Sequence, residues 1–241
     1  SSRADFGTST PWSQRRDEQT SSGLSGRADY HLHNHRLVAG FDYLRNRITQ
    51  SNELTTAPAS FLHEENLAVY ANDTIEFGTL ALVPGLRYDH FTGTSDMTSP
   101  SLGATWLAGE STLFRASVAK GFHKPPIAWT DAENGEWWSN PDLDPERVWS
   151  YQVGVETGLL RFCRLKSTLF YHDITDAFHW NRDLGMYDNN ASASRRGVEL
   201  ELATLPWHDL SLELNFTYVH TKDQWGENGY QRLANLIALY D

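Results

Sequence analysis

The densest concentration of chemically capable side chains lies between Phe122 and Pro145, in the run FHKPPIAWTDAENGEWWSNPDLDP. It holds His123, Trp129, Asp131, Glu133, Glu136, Trp137 and Trp138, followed by Asp142 and Asp144. Aromatic faces stack on flat or apolar ligand parts, while carboxylates and imidazole engage cationic or metal-bearing groups. The first seven are the candidate ligand-binding residues. The competing reading is a solvated loop with interfacial aromatics at its base. Asn140, Pro141, Asp142, Pro145 and Glu146 read as architecture, because proline fixes φ and ends the excursion while aspartate side chains cap the turn.

Other constellations carry less. His31, His33 and His35 form H-x-H-x-H, which on a continuous strand puts three imidazoles on one face. Here the run crosses an expected turn at 33–35, which splays the rings, so no metal site is assigned. His63 beside Glu64 and Glu65 is weaker still. Glu199 and Glu201 share one strand face, ~7 Å apart, a spacing within reach of paired catalytic carboxylates. No nucleophile elbow, phosphate loop or zinc spacing accompanies them, so a hydrated charge ladder is the better reading. The expectation is a protein that is not an enzyme, with no catalytic residues and no cofactor. Cys163 is the single cysteine, so no internal disulfide forms and the compartment is left open.

The elements around these residues alternate with period two. Phe114, Ala116 and Val118 oppose Arg115, Ser117 and Ala119, and Trp149, Tyr151, Val153 and Val155 oppose Ser150, Gln152, Gly154 and Glu156. The clearest run sets Leu210, Leu212, Leu214, Phe216 and Tyr218 against Ser211, Glu213, Asn215 and Thr217. About eleven strand candidates appear, most of ~9 to 14 residues, longer than the ~5 to 6 of soluble sheets. Short turns near 34, 78, 109, 160 and 206 alternate with long loops expected near 55, 95, 133, 183 and 227. One rim of tight turns and one of long loops is the pattern of an outer-membrane barrel, and no helix-period segment stands out. The polar face carries Glu199, Glu201, Glu213 and Asn215, which would be costly in a dry sandwich core but stay hydrated in a wet lumen. Trp149 and Tyr151 near one rim and Trp207 near the other fit two aromatic girdles.

Composition agrees. The 241 residues carry a net charge of −11, which argues against nucleic acid as a partner. Mean hydropathy is −0.53 and no stretch approaches the ~18 apolar residues of a spanning helix, a test that barrels escape. Residues 1–22 show no apolar period and read as a polar N-terminal segment or loop, with the barrel domain at 23–241. No export signal is visible at SSRADFGTST, and LANLIALYD stops in what reads as mid-strand, so a truncated piece is expected.

Six segments then carry a resemblance, in order: VPGLRYD at 83–89, SPSLGATW at 99–106, FRASVAKGFHKPP at 114–126, NPDLDPERVWSYQVGVE at 140–156, STLFYHDITDAF at 167–178 and RRGVELEL at 195–202. Together they resemble the barrel domain of TonB-dependent outer-membrane receptors. The resemblance implies an all-β antiparallel transmembrane meander, roughly half of a 22-stranded barrel, with the plug domain absent. It further implies uptake of a scarce nutrient: a ferric siderophore, haem, cobalamin or similar metal chelate. Expected partners are outer-membrane lipid, that small-molecule chelate, and TonB acting through the missing N-terminal plug region, in the Gram-negative outer membrane. A plug-free diffusion porin and a soluble secreted carbohydrate-binding β-protein are the alternatives.

Overall fold

A computed structural model describes residues 2–5, 14–52, 60–130, 139–158, 162–205, 210–223 and 226–240. Twelve strands form one sheet in chain order: β1 (Ser2–Asp5), β2 (Gln14–Leu32), β3 (His35–Asn52), β4 (Ser60–Phe77), β5 (Leu80–Phe91), β6 (Met97–Ala108), β7 (Thr112–His123), β8 (Glu146–Thr157), β9 (Cys163–Asn181), β10 (Met186–Thr204), β11 (Leu210–Asp223) and β12 (Gly226–Tyr240). Every neighbouring pair is antiparallel. Among the described residues β1 pairs only with β2 and β12 only with β11, so the sheet is an arc of a barrel. One short helix, α1 (Ile127–Thr130), interrupts the β7–β8 connection.

The register sorts the side chains into two faces. The row Leu82, Ala104, Ala116, Val153, Leu169, Val198 and Tyr218 crosses seven strands and is apolar throughout. One position along, the row Thr105, Arg115, Gly154, Thr168, Glu199 and Thr217 is polar. The apolar face lies open: Val69, Leu86, Val153 and Leu169 are each 51–54% exposed. An open apolar face of this extent is the surface a bilayer covers. The polar face carries paired charges, Arg27 with Asp29, Arg87 with Asp42 and Asp89, and Lys166 and Arg164 with Glu201.

Glycine lets aromatic rings lie down on this sheet. The ring of Phe170 crosses Gly197, where an added Cβ would sit 2.5 Å from the ring and 2.2 Å from the Tyr218 carbonyl. A strand glycine covered by a cross-strand aromatic keeps its backbone ladder dry and fixes register.

The described tight turns, at 33–34, 78–79 and 109–111, lie on one rim, and the turns expected near 160 and 206 fall outside the described residues. Gly78 and Gly109 take positive φ there, and His33 does so at φ 52 in the two-residue turn joining β2 to β3. That turn separates the histidines as expected: His31 pairs in register with Arg36 and His35 with Leu32, on opposite faces. His35 Nδ1 instead meets Asp73 at 2.5 Å.

The other rim differs from expectation. The polar stretch 176–190 is mostly strand, because β9 and β10 each run 19 residues and turn within 182–185. The turn near 227 is likewise short, with β12 beginning at Gly226. The N-terminal segment also differs: residues 2–5 and 14–22 are strand rather than loop, β2 starting at Gln14 instead of Gly23. The cause is common to all three. A bilayer needs only ~9–11 residues of a tilted strand. Beyond that band both faces meet water, so main-chain ladders continue without an apolar period to announce them.

Candidate functional site

The β7–β8 connection, residues 124–145, is built into the sheet at this rim. On one side it reaches three strands to β4, where Lys124 pairs with Glu64. On the other it reaches two strands to β10, where Asn140 Nδ2 donates to the Tyr187 carbonyl at 2.8 Å. Strand parity says on which face of the sheet it lies. Asp42, Ala68, Asp89 and Met97 form one row of the polar face. Ala68, Asp89 and Met97 are at most 3% exposed, and Leu62 and Phe91 on the same face are buried as well. Leu143, Pro125 and Pro145 from the connection are also buried. The described parts of the connection, 124–130 and 139–145, therefore fold back over the upper end of the polar face and make a small core with it.

Local chemistry holds it there. Glu146, the first residue of β8, accepts the Phe178 backbone N–H at 2.7 Å and faces His123 Nδ1 at 2.9 Å. Asp144 bonds the Ser95 hydroxyl. Asn140 Oδ1 accepts the Asp142 N–H at 3.1 Å. The residue that caps the NPD turn is thus asparagine, where the aspartates had been expected, because its amide can accept from the turn and donate to Tyr187 at once.

Two of the seven candidate residues can be placed. His123 has an exposed ring, 70% accessible, beside Phe178. Trp129, in α1, stacks on Tyr187 at 3.8 Å between centroids and meets the edge of Phe178 at 5.7 Å. Asp131, Glu133, Glu136, Trp137 and Trp138 lie outside the described residues. His123 and Trp129 come together around Phe178.

A cavity of about 320 Å³ lies under the connection, walled by Glu64, Thr92, Thr94, Lys124 and Ile127 among others. The Thr94 Oγ1 atom there is buried without a partner. Sequence reasoning passed over Lys124, Thr94, Tyr187 and Asn189. Only pairing across the sheet joins them to the loop, and spacing along the chain carries no signal of that. Among the described residues no group of three or more His, Cys, Asp or Glu is arranged to hold a metal ion.

The TonB dependent receptor-like β-barrel family model matches residues 1–236. The heme/hemopexin utilization protein C of Haemophilus influenzae is 25% identical, aligned over 91% of this chain and 37% of its own length. The vitamin B12 transporter BtuB of Vibrio vulnificus is 26% identical over 55% of this chain and 21% of its own. In three dimensions the siderophore receptor PirA of Acinetobacter baumannii superposes with a TM-score of 0.76 at 20% identity, over 95% of this chain and 41% of that one. This chain therefore spans well under half the length of these relatives. The apolar face open to lipid, the single meander and the family match agree, and the chain belongs to the TonB-dependent receptors of the Gram-negative outer membrane as a stretch of their β-barrel.

Proposed function

We propose that the whole protein is a receptor and transporter that takes up a metal chelate across the outer membrane with energy from TonB, and that this chain supplies one arc of its barrel and a ligand-facing rim. The observation that carries the reading is the fold of residues 124–130 and 139–145 over the polar face, with His123 and Trp129 gathered around Phe178 at this rim. Relatives named for vitamin B12, for heme and for siderophores share one chemistry: a metal held in, or to be held by, an organic chelator. Such a ligand offers flat or apolar surface to tryptophan and polar edges to carboxylate and histidine. His123, Trp129, Asp131, Glu133, Glu136, Trp137 and Trp138 are the residues proposed to meet it. An apolar sheet face of this size open to water does not suit a soluble carbohydrate-binding protein.

The test is uptake by the native strain and a deletion strain complemented with the full-length gene. Cells are given radiolabelled ferric enterobactin, haemin or cyanocobalamin, with and without a functional TonB. TonB-dependent accumulation of one probe, lost on deletion and restored on complementation, is the expected result. Equal accumulation of all three by both strains would sink the reading.

A further inference from the structure

The ladder between β9 and β10 breaks at one place. Its register shifts between Asp188 and Ala191 and again between Ala191 and Ala193. A bulge of this kind lifts a residue out of the ladder and re-aims its side chain. Asn189 and Asn190 fall within the first shift, and the Asn189 side chain points at the β7–β8 connection. Its Oδ1 accepts the Asp144 N–H at 2.8 Å. Its Nδ2 donates to the Asp144 carbonyl at 2.8 Å and to the Asp176 carbonyl at 2.7 Å. The partners fix the amide orientation, since one is a donor and two are acceptors. Asp176 itself holds a left-handed backbone, φ 55, and its carboxylate pairs with Arg147 at 3.0 Å, just after the connection ends. A bulge, a left-handed aspartate and a three-bonded asparagine thus converge on one residue of the loop.

We propose that Asn189 is the positioning residue of this rim: a clasp that fixes residues 139–145 to the β9–β10 hairpin and, with Trp129 bonded to Asn140, presents them as a preorganised wall for the ligand. The inference rests on the uptake reading for what the wall contacts, and on the geometry alone for the clasp. A loop fixed in advance binds without paying its ordering entropy on each encounter, so the clasp acts on affinity and leaves the transport step alone.

The full-length receptor, purified in detergent, is followed by amide hydrogen exchange as wild type, Asn189→Ala, Asn189→Asp and Asn190→Ala. Heat-modifiable mobility shows that each variant is an assembled barrel. In Asn189→Ala the amides of Asn140 and Leu143, which bond the carbonyls of Trp129 and Asn140 and make no bond to Asn189, exchange roughly tenfold faster. Asn189→Asp loosens them at least as much, because a carboxylate would face two carbonyl oxygens. Asn190→Ala leaves them as in wild type. Unchanged exchange in Asn189→Ala, or wild-type exchange in Asn189→Asp, overturns the clasp whatever the transport assays give. With the one probe of ferric enterobactin, haemin and cyanocobalamin that wild-type cells accumulate, Asn189→Ala raises the half-saturating concentration and keeps the maximal rate. A lower maximal rate at unchanged half-saturation overturns the positioning role. Failure of wild type to accumulate any probe would count against the uptake reading alone.

Discussion

Trp129 lies flat on Tyr187, with ring planes 5° from parallel. One face of a candidate ligand-binding tryptophan is therefore spent on the chain's own hairpin, and the stack belongs to the same loop-to-hairpin seam as Asn140 and Asn189. An aromatic pair contributes ~0.5–1.5 kcal/mol beyond its area. Trp129→Ala is expected to speed exchange of the Asn140 amide roughly two- to tenfold. Tyr187→Ala should do the same, and the double variant should add little to either, since both remove one interaction. Loss of probe affinity in Trp129→Ala at unchanged exchange would show instead that the ring's free surface meets the ligand directly.

Asp89 makes a second test of the folded-back loop. Its side chain is 1% exposed, held by Nε and Nη2 of Arg87 at 2.9 Å each and by Asn66 Nδ2 at 3.3 Å. A carboxylate so placed survives only with its partner. Arg87→Ala leaves it buried and uncompensated at a cost of about 3 kcal/mol. Thermal melting of the purified full-length receptor should fall in Arg87→Ala and recover in part when Asp89→Asn is added, because the stranded charge is then gone. Equal melting of Arg87→Ala and wild type would mean that water reaches Asp89.

The same residues explain what the sequence could reveal. Alternation was plain in β7, β8 and β11, where lipid on one side and water on the other enforce it. It failed in β4, where Leu62 and Ala68 are buried on the polar face beneath the loop. It vanished in β2 before Gly23 and in the upper parts of β9 and β10, where water bathes both faces and polar residues suit either. The NPDLDP run was legible as architecture, and Pro145, buried, and Asn140, which caps the turn, serve that role. Its partner Asn189 was not, since a register shift within a polar stretch leaves no period to break.

Acid should open the neighbouring rim loop, 92–96, by way of Asp96. Its carboxylate accepts the Tyr88 hydroxyl at 2.5 Å, faces His90 Nδ1 at 2.8 Å and accepts the Phe91 N–H at 3.4 Å. The Tyr88 hydrogen bond holds the Asp96 carboxyl below the usual carboxylate range; desolvation opposes it, and His90 and the Phe91 amide act with it. A group whose folded pKa is depressed stabilises the fold above its unfolded value, near ~3.9, and that contribution is lost as pH falls through the lower folded value. The tie is therefore complete at neutral pH and fails only below about pH 4. Hydrogen exchange at 92–96, corrected for its intrinsic pH dependence, should show a step to faster exchange below that pH in wild type. Asp96→Asn, which cannot ionise, should show no such step. A step at the same pH in both proteins would place the titrating group elsewhere.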